Sequence, residues 1–128
     1  MKVLMRLMFV SLLMMVAAPA WSDSAFHILT CEQDDETSDE KVEAMAAEWF
    51  KAAKAIKGGE NLELYMNFPV AANVGEVDLA MIIVAPSFAE WGDFMDNYPG
   101  SAAEGIDNKY EDDIDCGNGT LWESIEIK

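Results

Sequence analysis

Three carboxylates and a thiol crowd into residues 112 to 116 of this chain, within the stretch DDIDCGNGTLW. That grouping has the chemistry for a calcium loop, a metal–thiolate site or the anchor of a disulfide. An EF-hand loop needs oxygen ligands at its first, third and fifth positions, glycine at the sixth and glutamate at the twelfth. Begun at Asp113, the stretch offers Asp115 third but Gly117 fifth, Asn118 sixth and Ser124 twelfth; begun at Asp112, it reaches Glu123 but places Ile114 third. A zinc site wants about four Cys or His ligands, and the chain holds two cysteines and one histidine. No metal site is expected, and a partner for Cys116 remains to be found.

The one histidine, His27, is the only side chain whose ordinary pKa lies near neutrality. It is the candidate catalytic residue, and an acid–base mechanism would pair it with Glu63 or Tyr65. The alternative is a hydrogen-bonded interface residue with no chemical role. No glycine-rich phosphate loop, nucleophile elbow or Ser/His/Asp set is present, and Ser87 is explained as a helix cap, so no cofactor is expected.

Residues 1 to 20 read as a secretory signal. Lys2 and Arg6 make a positive start, LMFVSLLMMVAA is the apolar core, and APA before Trp21 suits cleavage after Ala20. An apolar run of about a dozen residues is shorter than the roughly 20 that span a bilayer, so a periplasmic or secreted protein with no membrane anchor is expected. Residues 21 to 128 are enough for one domain. In them six lysines stand against 24 carboxylates, a formal charge of −18, which disfavours nucleic acid and anionic lipid surfaces as partners.

The elements that must position these groups follow from periodicity. FHILTCE (26 to 32) is a first strand. Thr37 or Ser38 caps a helix whose apolar residues, Val42, Met45, Ala46, Trp49, Phe50, Ala53 and Ile56, keep helical spacing until Gly58 and Gly59 stop it. Leu62, Leu64, Met66 and Phe68 alternate with Glu63, Tyr65 and Asn67, a half-buried strand, and VDLAMIIVA (77 to 85) is an inner one. Ser87 and Glu90 form a capping box opening a helix that carries Trp91, Phe94 and Tyr98 as core anchors. Residues 99 to 115 read as a loosely helical piece or a long loop, and TLWESIEIK is a final alternating strand.

This β-α-β-β-α-β order resembles the ferredoxin-like split βαβ fold, and more narrowly the dimeric α/β-barrel superfamily, where two such sheets pack face to face around a shared cavity. The resemblance implies an α+β domain with a four-stranded antiparallel sheet, order 4-1-3-2, and two helices on one face. It sets the end of the first strand beside the start of the fourth, and so implies a disulfide between Cys31, closing the first strand, and Cys116, just before the fourth. Alternation then assigns Phe26 and Ile28 to the helix-facing side, with Leu62, Leu64, Met66, Phe68, Val77, Leu79, Met81, Ile83, Leu121, Ile125 and Ile127. His27, Leu29, Cys31, Glu63, Tyr65, Asn67, Ala80, Ile82, Val84, Trp122, Ser124 and Glu126 fall on the open side.

That open face is too apolar to be left in water, so a homodimer through it is expected, with a small apolar ligand near His27, Glu63, Tyr65, Asn67 and Trp122. The first functional expectation is a non-enzymatic binding or interaction module. The second is a cofactor-independent enzyme resembling the monooxygenases of that superfamily, with substrate between the sheets. An acidic inhibitor of a basic partner ranks third.

Overall fold

Ala25, Phe26, Ile28, Leu29 and Cys31 make residues Ser24–Gln33 apolar on both faces, as suits an inner strand. In the computed structural model, which describes residues 23 to 71, 75 and 77 to 127, this strand, β1, lies between β3 (Leu79–Ala85) and β4 (Ile114–Ser124), and β2 (Glu63–Asn67) flanks β3. The predicted signal segment lies outside the described residues. All three pairings are antiparallel, in the order β2-β3-β1-β4. Helices α1 (Asp39–Ala53), α2 (Phe88–Asn97) and α3 (Ala102–Lys109) complete the ferredoxin-like α+β fold. The third helix settles the stretch that reads as helix or loop, so three helices stand on the sheet where two were expected.

Ser38 caps α1, its hydroxyl accepting from the Lys41 N–H at 3.3 Å. The neighbouring Thr37 is instead buried, and its hydroxyl donates to the Asp113 carboxylate at 2.9 Å. Asp113 also takes Lys41 as an ion partner, and that pairing holds its carboxyl below the ordinary carboxylate range. One acid of the opening cluster is thus a tie between α1 and the segment entering β4. Helix α1 ends at Ala53, short of Gly58, because residues beyond it must turn in under α2. Gly58 sits at φ +85°, and a Cβ there would fall 2.4 Å from the Phe94 nitrogen and 2.6 Å from the Glu90 carbonyl oxygen. Ser87 caps α2 as expected, its hydroxyl accepting from the Glu90 N–H at 3.2 Å and donating to the Glu90 carboxylate at 3.2 Å.

Two expectations about strands are corrected. β4 begins at Ile114, six residues before the predicted start, so Cys116 lies inside the strand, opposite Cys31. The pairing slips between Ile28↔Thr120 and Thr30↔Gly117, which leaves one extra residue on β4, a bulge in the glycine-bearing segment. Ile125 and Ile127, assigned to the helix-facing side, lie beyond the strand and are exposed. The second correction is the face of β1. Ala25, His27, Leu29 and Cys31 point to the helices, and Phe26 and Ile28 point away. Buried Cys31 packs with Val42, Met45 and Leu79, and Ala25 packs with Ile83, Trp91 and Phe94. In a strand apolar on both sides, neighbours on the helices decide the face, and a one-residue change of parity moves every side chain. On β2 and β3 the expected faces hold, with Leu64, Met66, Met81 and Ile83 toward the helices.

The disulfide Cys31–Cys116 is formed, with a Cα separation of 4.1 Å and a sequence separation of 85. It closes the cluster of Cys31, Val42, Met45 and Leu79 at one end of the sheet, while Leu62, Ile83, Trp91 and Phe94 fill the other.

Candidate functional site

Between the helix-facing side of the sheet and the three helices lies a cavity of about 410 Å³. His27 and Leu29 of β1, with Met81 and Ile83 of β3, form its floor. Its walls are aromatic: Trp49 from α1, Trp91 and Phe94 from α2, and Tyr98 at the C-cap of α2. Helix α3 and the residues after it close one side with Ile106, Asp107 and Tyr110. The aromatics carry the helical spacing of core anchors, and here they meet one another as well as the sheet. Trp91 and Phe94 have ring centroids 5.8 Å apart, and Phe94 and Tyr98 5.6 Å.

His27 enters this space because β1 turns its odd residues to the helices. Its ring lies edge-on to Trp91, with centroids 4.8 Å apart and planes at 62°. Burial lowers its pKa from the ordinary 6.5, so it is neutral at pH 7. Its Nδ1 is buried and has no hydrogen-bond partner among the described residues, a condition that costs about 1–3 kcal/mol. Room for the ring comes from the bulged strand, since a Cβ at Gly119 would stand 2.6 Å from Nε2.

A second polar group closes the opposite part of the wall. The Trp49 indole N–H donates to the Tyr98 hydroxyl at 3.2 Å, and the Tyr98 hydroxyl donates to the Asp107 carboxylate. Asp107 keeps part of its surface in water, yet desolvation of its carboxyl pushes its pKa up to about 6, only partly offset by the Trp49 N–H. Helix α3 is also held to α1 by the Glu48 carboxylate, which accepts from Tyr110 at 2.7 Å and pairs with Lys109 at 3.2 Å.

The remaining predicted site residues lie on the other side of the sheet. There the register sets them in rows, Glu63–Val84–Phe26–Trp122 and Tyr65–Ile82–Ile28–Thr120, with Asn67 beside Ala80 in the next. Tyr65 donates to the Glu63 carboxylate, which raises the phenol pKa, and the Trp122 indole donates to Thr120 at 2.8 Å. Tyr65 and Trp122 are half exposed, and none of the helices among the described residues covers the face. The structure therefore brings Glu63 and Tyr65 together and separates His27 from both by the thickness of the sheet. The grouping of His27 with Tyr65, Asn67 and Trp122 is corrected, because it rested on the wrong parity for β1. Sequence reasoning missed Asp107 as a site residue. Its signal was the spacing of Ala103, Ile106 and Tyr110, which turns one face of a short helix inward.

No family model and no curated protein matches the sequence. Among solved structures, the chain is similar to a dimeric ferredoxin-like protein of unknown function from Thermobifida fusca. The two share 13% identity at a TM-score of 0.55, over 80% of this chain and 92% of the other. It is also similar to a candidate chlorite dismutase, at 11% identity and a TM-score of 0.50, over 82% of this chain and 45% of the other. The chain thus spans less than half of that second protein. At these identities the likeness shows the fold alone, which is ferredoxin-like.

Proposed function

We propose that this chain is a non-enzymatic binding protein that holds a small, mostly apolar ligand in the cavity between sheet and helices. The observation that carries this reading is the cavity itself. At about 410 Å³ it falls within the roughly 300–1,000 Å³ of small-molecule sites, and aromatic and aliphatic walls surround a few placed polar groups. The site expected between two sheets is thereby moved to the inside of one domain. The monooxygenase-like alternative has less support, because it required His27 beside Glu63 or Tyr65, and these stand on opposite faces.

The protein acts, in this reading, as an exported homodimer. Two features support the dimer: the row-wise apolar face of Phe26, Ile28, Ile82, Val84 and Trp122, with no helix over it among the described residues, and the solved ferredoxin-like neighbour that is itself dimeric. The Cys31–Cys116 bridge suits an oxidising compartment.

The test is calorimetric titration of the oxidised protein with a neutral aromatic probe, 2-naphthylmethanol. Saturable heat that disappears in a cavity-filling Met81→Trp variant is expected. Absence of saturable binding, or binding indifferent to Met81→Trp, would remove the cavity as the site.

A further inference from the structure

Among the described residues, the charged ones lining the cavity are Asp107, Glu111 and Asp115, all acidic, and no lysine or arginine lines it. Asp107 is the one whose carboxylate is bonded to a wall residue, Tyr98, and the wall continues from there through Trp49, Phe94 and Trp91. Lys109, two residues further along α3, is engaged by Glu48 on the α1 side. The polar group at the floor, His27, is neutral. A carboxylate or phosphate entering this space meets no cation and several negative groups within a chain of formal charge −16. An ammonium on an apolar body meets the reverse: a carboxylate with acceptor positions to spare beyond the Tyr98 hydroxyl and the nearby Trp49 N–H, and faces of Trp and Tyr that attract a cation.

We propose, building on the cavity reading above, that the ligand class is a hydrophobic amine, its aromatic or aliphatic body among Trp49, Trp91 and Phe94 and its ammonium at Asp107, and that anionic amphiphiles of the same shape are rejected. Desolvation has already raised the energy of the Asp107 carboxylate, and a cation brought beside it offsets that cost, so the site favours charge of one sign. A neutral analogue gains the apolar contacts alone and falls between the two.

The experiment compares three probes that differ only in the polar end: 2-naphthylmethylamine, 2-naphthylmethanol and 2-naphthoate. Each is titrated into the oxidised protein near pH 8 at about 0.15 M salt, where the field of distant surface charge is largely screened. The amine is expected to bind at least about tenfold more tightly than the alcohol, and the acid more weakly than either. Asp107→Asn is expected to bring the amine to the level of the alcohol. Equal binding of all three probes, or preference for the acid, would overturn the ligand class while leaving the cavity reading in place. An amine preference that survives Asp107→Asn would overturn the assignment to Asp107. Failure of all three probes to bind would overturn both readings together.

Discussion

His27 meets Trp91 edge-on with ring centroids 4.8 Å apart, so the central strand and the second helix grip each other through an imidazole and an indole. Because Nδ1 has no partner among the described residues, His27→Phe keeps a ring against Trp91 and removes a buried polar atom. That variant is expected to be more stable than the wild type by about 1 kcal/mol. His27→Ala, which leaves a hole beside Trp91, is expected to be less stable by about 2–3 kcal/mol. The depressed pKa adds a pH signature. Below the ordinary value of 6.5 the unfolded chain takes up the proton first, so this group's contribution is full above that pH and is lost as pH falls. Urea unfolding at pH 7 and pH 5, followed by tryptophan fluorescence, should show the wild type losing more than His27→Phe.

Asp107 should behave in the opposite sense. Its folded pKa of about 6 lies above the ordinary 3.8, so between those values the folded chain keeps a proton that the unfolded chain has released. Its ionisation is a penalty above pH 6 that is relieved as pH falls toward 4. Asp107→Asn should therefore raise stability at pH 7 by about 1 kcal/mol, a figure discounted for partial exposure of the group. Near pH 4 the difference should vanish. Thermal melts of the two proteins across that range give the comparison, and a constant difference at all pH values would contradict it.

Removal of the bridge by Cys31→Ser with Cys116→Ser should cost about 3 kcal/mol, since a loop closed across a sequence separation of 85 is freed in the unfolded chain. Denaturant midpoints with and without a thiol reductant should reproduce the same loss in the wild type and show none in the double variant.

On the open face, Ile82 stands between Tyr65 on β2 and Ile28 on β1. Ile82→Lys places a charge at the centre of the apolar rows without touching the core beneath. Sedimentation equilibrium is expected to show a dimer for the wild type and a monomer for the variant, with unchanged far-ultraviolet circular dichroism. A wild-type monomer would leave the homodimer without support.

Much of this architecture is legible in the sequence where one face of an element is apolar and the other polar. Leu64 and Met66 alternating with Glu63, Tyr65 and Asn67 give β2 its faces, and Ser87 with Glu90 gives the start of α2. The failures share a cause. β1 is apolar on both faces, so nothing in FHIL says which parity meets the helices; Trp91, Val42 and Met45 decide it from distant parts of the chain. The start of β4 is hidden because Asp115, Gly117 and Gly119 carry no strand-like pattern, and backbone pairing with β1 imposes the strand nonetheless. Helix α3 is diluted by Gly105 and by acids, and with it went the cavity, one side of which is Ile106, Asp107 and Tyr110. The cysteine pairing, by contrast, needed only the strand order.

One consequence of the register concerns connectivity. Ser24 and Ser124 are direct partners at the end of the β1–β4 ladder, so the start of β1 and the end of β4 lie one strand spacing apart. A short glycine–serine joint between them, with new ends opened at the exposed residues Val70 and Ala71 of the β2–β3 connection, should give a rearranged chain that still builds the same sheet. In that molecule the stretch carrying DDIDCGNGTLW would run directly into the strand bearing His27 as one continuous hairpin.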